Sequence, residues 1–383
     1  MAVPTISIIG GGIGGLTLAL SLEKAGIEYH LNERVTQLEE VGAGIWLAPI
    51  ALQVMESLGT LKVISSQGHS IDRITIGTSD LSPISDHDQD FIKQEFGYSS
   101  VAIHRARFQQ ILYERIPSDK ISLGSSLDSY SYDPDGNLSI RFENGHEVNS
   151  SHVIAADGIN SRVRNQLFPN SELRYSGQTC WRGISNINLK SEFQNRGMEL
   201  WGGRLRFGLS QISDREVYWF AVALAPANQS DPVGTTKQRL IDMYKSYHPM
   251  ISDIIEATPD GKIMRNDISD LKPIEKWYYK RICLMGDAAH ATTPNMGQGG
   301  GQAIEDAYYL TKAIQEYGLD TAFGHFQNTR QKKVNKIVTQ SWRIGQVAHW
   351  KYGQSLRNIL MSNIPDRLFK QQMLQLYRLD SSL

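Results

Sequence analysis

Cysteine is nearly missing from this chain. Cys180 and Cys283 are the only two in 383 residues, too far apart in sequence to suggest a disulfide framework or a Cys-x-x-Cys redox pair. Both read as buried, reduced thiols of a cytoplasmic protein. A surplus of charge is missing too: 39 Lys and Arg against 40 Asp and Glu give a net charge of -1, which offers nucleic acid or an anionic membrane no overall attraction. No uninterrupted apolar run reaches the ~18 residues that a membrane span needs. The apolar stretch Ile6 to Leu22 is broken by glycines and preceded by no Lys or Arg, so it is not read as a signal peptide or anchor. The ten histidines form no H-x-x-x-H or Cys/His cluster, and no metal is expected. Asp86-His87-Asp88-Gln89-Asp90 spaces its acids like the start of a calcium loop. Phe91 stands where the glycine belongs and Gly97 where the closing glutamate belongs, so Leu81 to Gly97 is expected as a solvated loop.

Glycine, by contrast, is placed with purpose. The short apolar strand Ile6-Ser-Ile-Ile9 runs into Gly10-Gly11-Gly12-Ile13-Gly14-Gly15, then into a helix carrying Leu16, Leu20 and Leu22 that stops near Gly26. A second strand, Ile27 to Asn32, ends at Glu33. Strand, G-x-G-x-x-G, helix, strand and an acid roughly 20 residues on form the dinucleotide-binding fingerprint in its proper setting. Gly10 permits the tight turn, Gly12 lets a pyrophosphate approach the backbone, Gly15 allows helix and strand to pack closely, and Ile13 and Gly14 complete the turn. Glu33 is placed to accept from ribose hydroxyls. Arg34 is placed to touch the adenosine end of a ligand or a transient nicotinamide phosphate, or is a solvated surface arginine. Val41-Gly-Ala-Gly44-Ile45 makes a second glycine turn, counted with the cofactor site through Gly44, before a helix from Pro49 to Leu58.

A third glycine cluster lies late in the chain. The strand Ile282 to Met285 ends at Gly286-Asp287, and Thr293-Pro294-Asn295-Met296-Gly297-Gln298-Gly299-Gly300-Gly301 leads into a helix with Ala303, Ala307, Leu310 and Ile314 on one face. The N–H groups of that helix start have no internal partners and favour negative charge. Asp287 suits such a place only if its carboxylate accepts from the hydroxyls of a sugar-like chain. A polyol chain joined to a ring that becomes anionic describes the flavin of FAD, and this cluster decides for FAD over NAD.

The stretch from Gly286 to Gly300 resembles the second FAD motif of the single-component (class A) flavin monooxygenases, the group of para-hydroxybenzoate, salicylate and urate hydroxylase-like enzymes. The resemblance gives Asp287 the ribityl chain, and gives Pro294, Gly297, Gly299 and Gly300 the ring and the oxygen pocket. It extends to Arg105 at a helix start, a position that contacts FAD in the family, with a surface or structural arginine as the other reading. It extends also to Asp157-Gly158, the element between FAD and the pyridine-nucleotide path. The urate hydroxylase branch carries an acid where Asn295 stands, which argues against that substrate.

The fold implied is α/β: a glutathione-reductase-like Rossmann FAD-binding domain (residues 1–75, 97–172 and 273–325) interlocked with a mainly antiparallel β-sheet substrate domain (76–96 and 173–272). C-terminal helices (326–383) follow, expected to pack on the FAD domain through Leu356, Ile359, Leu360, Leu368 and Leu374, with peripheral association for a lipid-borne substrate as the other reading. In the substrate domain Cys180-Trp181-Arg182-Gly183 sits in one strand, and Arg204 to Leu209 pairs with Val217 to Leu224 as a hairpin. Period-2 alternation sets Arg206 and Gly208 apart from Leu205, Phe207 and Leu209. Arg206 and Tyr218 are the catalytic candidates, the first to hold an anionic substrate and the second to orient or deprotonate a ring hydroxyl. The other reading makes Arg206 an exposed pair partner and Tyr218 a packed aromatic.

The activity implied is NAD(P)H-driven insertion of one oxygen atom of dioxygen into an aromatic or heteroaromatic substrate through a flavin hydroperoxide. Epoxidation of a polyene, a flavin oxidase or dehydrogenase, and a non-catalytic flavoprotein are the alternatives. The protein is expected as a monomer or homodimer, without nucleic acid or stable membrane insertion.

Overall fold

The computed structural model describes residues 6–38, 43–133 and 136–379. The expected turn residues Val41-Gly42 and Pro134-Asp135 lie outside them. Ile6–Ile9 is buried throughout, as a strand covered on both faces must be. It pairs in parallel with His152–Ala155 on one side and Tyr29–Asn32 on the other. Ile282–Leu284 joins in parallel beyond His152–Ala155, and Ile121–Ser122 beyond Tyr29–Asn32. The short strand Tyr278–Tyr279 closes the six-stranded sheet at its outer edge.

The registers have one consequence for function. Gly10, Glu33, Asp157 and Gly286 each follow one of the parallel strands of this sheet, so four segments remote in sequence converge at their carboxyl ends, where open α/β sheets bind ligands. Backbone bonds lock the strand ends together: Gly10 N–H to Asn32 carbonyl at 2.8 Å, Ala156 to Ile9 at 2.8 Å and Met285 to Ala155 at 2.9 Å.

The helix Ile13–Ala25 starts at Gly12 and ends at Gly26, whose φ of 68° and cap bonds back to Glu23 and Leu22 terminate it. It lies against the helix Gly299–Tyr317, and Gly14 is the contact, since a Cβ there would stand 3.1 Å from Ala303 Cβ.

A seven-stranded sheet forms the second layer, ordered Met264–Leu271, Leu173–Asn186, Glu216–Leu224, Leu205–Gln211, Arg196–Gly202, Arg73–Thr78 and Pro83–Asp88. Neighbours are antiparallel except Arg196–Gly202 with Arg73–Thr78. One face carries Phe207, Leu209, Trp219 and Ala221 into a core with Leu240, Tyr244, Ile251 and Ile254 of the helices Thr236–Tyr244 and Met250–Glu256. The Phe207 and Trp219 rings stack at 5.5 Å. Burying each such aromatic contributes up to about 3 kcal/mol, which makes this face the anchor of the layer.

Several expectations need correction. Leu81 to Gly97 is not a loop. It holds the strand Pro83–Asp88, paired with Arg73–Thr78, and the helix Asp90–Phe96. Asp86 does not face water alone, because its carboxylate takes Arg73 at 2.9 Å and Thr75 at 2.7 Å. The boundary drawn at residue 75 falls inside the strand Arg73–Thr78, and that at 325 inside the helix Leu319–Ala348. Of the last helices, Gln354–Ser362 is held through buried Arg357 and Asp366–Tyr377 through Tyr377 and Leu374 against Ile50 and Ile92, but Leu356, Ile359, Leu360 and Leu368 are exposed, not packed. Both cysteines are buried and unpaired.

Candidate functional site

At the sheet's carboxyl end, Gly10 adopts a φ of 107°, and a Cβ there would stand 2.5 Å from the Ala156 carbonyl oxygen. A Cβ on Gly15 would collide with the Gly10 carbonyl, so both glycines are required by close backbone approach. Gly12 differs: a Cβ there meets nothing within 4 Å, so the helix start faces open space able to admit a ligand's phosphates. Glu33 clamps this turn, its carboxylate accepting from the Gly11 N–H and from the Val35 N–H at 3.0 Å. Gln109, which the sequence did not single out, donates to the Gly11 carbonyl at 2.9 Å from the same helix that Arg105 opens. Arg34 is exposed.

At the other end of the groove, Gly286 has a φ of 56° and donates its N–H to Asp306 at 2.9 Å. Asp287 then starts a single helical turn to His290, its carboxylate open to the groove although protein surrounds it. That enclosure raises its carboxyl above the ordinary value, against the pull of His290 and Arg105. Across from it stands Gly299, where a Cβ would lie 4.0 Å from Asp287 Oδ1. Pro294 and Gly297 bound a short turn and are exposed, and Gly297 has a φ of 63°. A Cβ on Gly300 would press on Ile45, and one on Gly44 would collide with the Tyr218 ring, so these two glycines allow the strand Gly44–Leu47 to cross the loop. Asp157 Oδ2 caps the helix Arg162–Leu167 through the N–H groups of Arg162 at 2.9 Å and Val163 at 3.3 Å. Its Oδ1 is buried without a partner among the described residues, and burial raises the carboxyl.

Beneath the loop lies a charge network that sequence reasoning missed. Asp306 accepts from His290 Nε2 at 2.6 Å and from Arg330 Nε at 2.8 Å. Arg330 also bonds Glu305 and, at 2.7 Å, Gln302, while Lys333 reaches Glu305 at 2.7 Å. Burial pushes the Asp306 carboxyl up, but His290 and Arg330 outweigh it and hold the group below its ordinary value. The network ties the first turn of the helix Gly299–Tyr317 to the Leu319–Ala348 helix, and so fixes the loop that faces the groove.

The seven-stranded sheet turns its second face to that loop. Arg206 pairs with Val222 in register, Gly208 with Phe220, Arg182 with Phe220 and Ser210 with Tyr218, so these side chains share the face opposite the Phe207–Trp219 core. Trp46 donates to Ser210 Oγ at 2.7 Å, closing the flank. A Cβ on Gly208 would collide with Phe220, so the glycine lets that ring lie flat along the sheet.

Arg206 is not exposed. It is buried and committed, to Glu199 at 2.5 Å and to Asn295 Oδ1. Asn295 is itself held through Nδ2 by Thr293 Oγ1 and the Ser341 carbonyl, both at 2.9 Å. Arg206 therefore braces the cofactor loop from the substrate side. Beside it, burial pushes the His349 imidazole down to about 4 and keeps it neutral. Tyr218 cannot readily serve as a base, since burial pushes its phenol well above the ordinary value despite Arg182 and Arg105 nearby. Arg182, quoted only as part of a strand, is the cation on this face that no carboxylate pairs with among the described residues. Its Nε donates to Cys180 Sγ at 3.4 Å.

The groove fits FAD. It offers an open glycine turn, an acid after the second strand, an acid open to the groove at its far end, and a helix start facing that acid. Residues 2–343 match the FAD binding domain family. The aurachin C monooxygenase/isomerase of Stigmatella aurantiaca is 38% identical over 349 residues, 91% of this chain and 90% of that protein. The 2-heptyl-3-hydroxy-4(1H)-quinolone synthase of Pseudomonas aeruginosa is 32% identical over 374 residues, 94% of each. Among solved structures, Klebsiella pneumoniae HpxO complexed with FAD and uric acid superposes with a TM-score of 0.89 at 23% identity, over 97% of this chain and 96% of that one. With the cradle built and the match running along almost its whole length, this chain belongs to the FAD binding domain family, as an FAD-dependent monooxygenase.

Proposed function

We propose that this enzyme uses NAD(P)H and dioxygen to place one oxygen atom on the ring of a bicyclic heteroaromatic substrate, of which a 4-quinolone carrying an apolar chain is the best candidate. The observation that carries the reading is the sheet face of Arg182, Tyr218 and Phe220 beside the cofactor loop, two aromatic rings around a cation that no carboxylate pairs with among the described residues, and the substrate slot is read there. The quinolone named for the Pseudomonas relative supports the choice of ring and chain.

Bound FAD supplies the electron transfer and oxygen activation. The chain's residues do the rest. The glycine turn and Glu33 hold the adenosine and pyrophosphate end, Asp287 accepts from the ribityl hydroxyls, and the N–H groups at Gly299 to Gly301 favour negative charge beside the ring. Phe220 and Trp46 exclude water from the slot, which protects the oxygen-transfer step. Arg182 polarises a ring oxygen of the substrate and favours its enolate form. Tyr218 stays protonated and donates a hydrogen bond.

The test uses purified flavoprotein, NADH or NADPH, and a panel of 4-quinolones, phenols, urate and polyenes. Quinolone-stimulated oxidation of the nicotinamide with a product heavier by one oxygen atom is expected. Stimulated oxidation that yields only hydrogen peroxide across the whole panel overturns the reading.

A further inference from the structure

The C-terminal helix Gln354–Ser362 is built inside out. A helix on a water-exposed surface hides its apolar side chains and shows its charges. Here Arg357 is the buried side chain, 3% exposed, donating to the Ala348 carbonyl at 2.9 Å with its guanidinium over the Trp201 ring at 4.9 Å. Leu356, Ile359 and Leu360, at i, i+3 and i+4, share the outward face and are 59%, 58% and 63% exposed. Tyr352 precedes them at 77% and Leu368 follows at 46%. An apolar face kept on the outside in this way marks an interaction surface.

Charge says which kind. The chain as a whole is balanced, yet residues 343 to 370 hold Arg343, Lys351, Arg357, Arg367 and Lys370 against a single acid, Asp366. Apart from Arg357 these cations are exposed, and among the described residues none of the four is in a salt bridge. Exposed leucines with a tyrosine at their edge and exposed cations outside any described salt bridge on both sides match the interface of an anionic bilayer: apolar groups at the acyl boundary, aromatics at headgroup depth, cations on phosphates. No described helix is long and apolar enough to cross a membrane, so the contact is peripheral.

We propose that the segment from Tyr352 to Lys370 docks this enzyme onto an anionic phospholipid surface. The docking helix sits over the same sheet face as Arg206, because the Trp201 ring that Arg357 covers also lies 6.0 Å from the Arg206 guanidinium. A substrate with an apolar chain, if the substrate reading above holds, would reach the slot from the lipid side.

Vesicle flotation of the FAD-loaded protein tests the surface independently of any substrate. Binding is expected to phosphatidylcholine vesicles containing phosphatidylglycerol, falling as salt rises. Replacing Leu356, Ile359 and Leu360 by serine should weaken it at least about tenfold, with FAD content and NAD(P)H oxidation on a water-soluble aromatic substrate unchanged. Neutralising Lys351, Arg367 and Lys370 with glutamine should weaken it roughly fivefold per charge removed. Failure to bind anionic vesicles, or equal binding to pure phosphatidylcholine, overturns the proposal. So does a sedimentation result in which the protein is a dimer that the serine variant dissolves while vesicles capture neither form; the face would then join two copies of this chain. A missing quinolone product would strike the substrate reading and leave the vesicle result standing.

Discussion

Two arginines share the substrate-facing side of the sheet, and the structure separates their tasks. Arg206 holds Glu199 and Asn295, so its removal leaves a half-buried carboxylate and an asparagine without their partner. Arg206→Ala is expected to cost about 2 kcal/mol of stability as well as activity, read as a lowered thermal midpoint. Arg182→Ala should leave that midpoint nearly unchanged and raise the substrate KM by tenfold or more, the loss of one charge-assisted hydrogen bond of about 1.5–3 kcal/mol. Equal thermal destabilisation by both would contradict this division. Tyr218→Phe is expected to leave the pH profile of kcat in place up to about pH 9, because a phenol raised above its ordinary value near 10 does not ionise in that range. A lost alkaline limb would restore Tyr218 as a base. Alternation along the strand set Arg206 and Gly208 apart from Leu205, Phe207 and Leu209, and the pairing register put Tyr218 on the Arg206 face. Alternation could not say which arginine was already engaged, since the partner Asn295 lies 89 residues away.

Among elements, the glycine turns were readable because their geometry is local. A left-handed φ or a close backbone approach constrains the residue type on the spot. Gly15→Ala drives a Cβ into the Gly10 carbonyl oxygen and is expected to abolish FAD retention, seen as loss of flavin absorbance per protein. The buried ion network is the opposite case. Glu305 and Asp306 are adjacent in sequence, but their meaning depends on Arg330, on the next helix. Arg330→Met strands two buried carboxylates and should destabilise by roughly 3–5 kcal/mol. Because the folded-state Asp306 carboxyl lies below its ordinary value, its contribution is present above about pH 4 and is lost as pH falls through the folded value. Urea midpoints should therefore fall on acidification below that point, and Asp306→Asn should flatten the fall. The strand Pro83–Asp88 was misread for the same reason as the network was missed: acids that look solvated in a string of letters find Arg73 and Thr75 once the sheet forms.

At the scale of the molecule, the groove proposed for FAD is built from the ends of strands drawn from four separate segments, so ligand binding there would add directly to folding free energy. Removing FAD should lower the thermal midpoint reversibly, with about 2.7 kcal/mol recovered when free FAD stands at a hundred times its dissociation constant. A midpoint indifferent to FAD would mean the groove is not the cofactor site. Sequence by itself determined the strand–glycine–helix units, because they are written in short-range backbone geometry, while the FAD-dependent monooxygenase class and the pairing of an α/β layer with an antiparallel sheet came through the resemblance of those motifs to a known family. Tertiary structure alone decided which arginine stays free, that Arg330 anchors the late helix, and that the last leucines face outward. Periodicity records which residues share a face, but what that face meets depends on segments brought in from elsewhere in the chain.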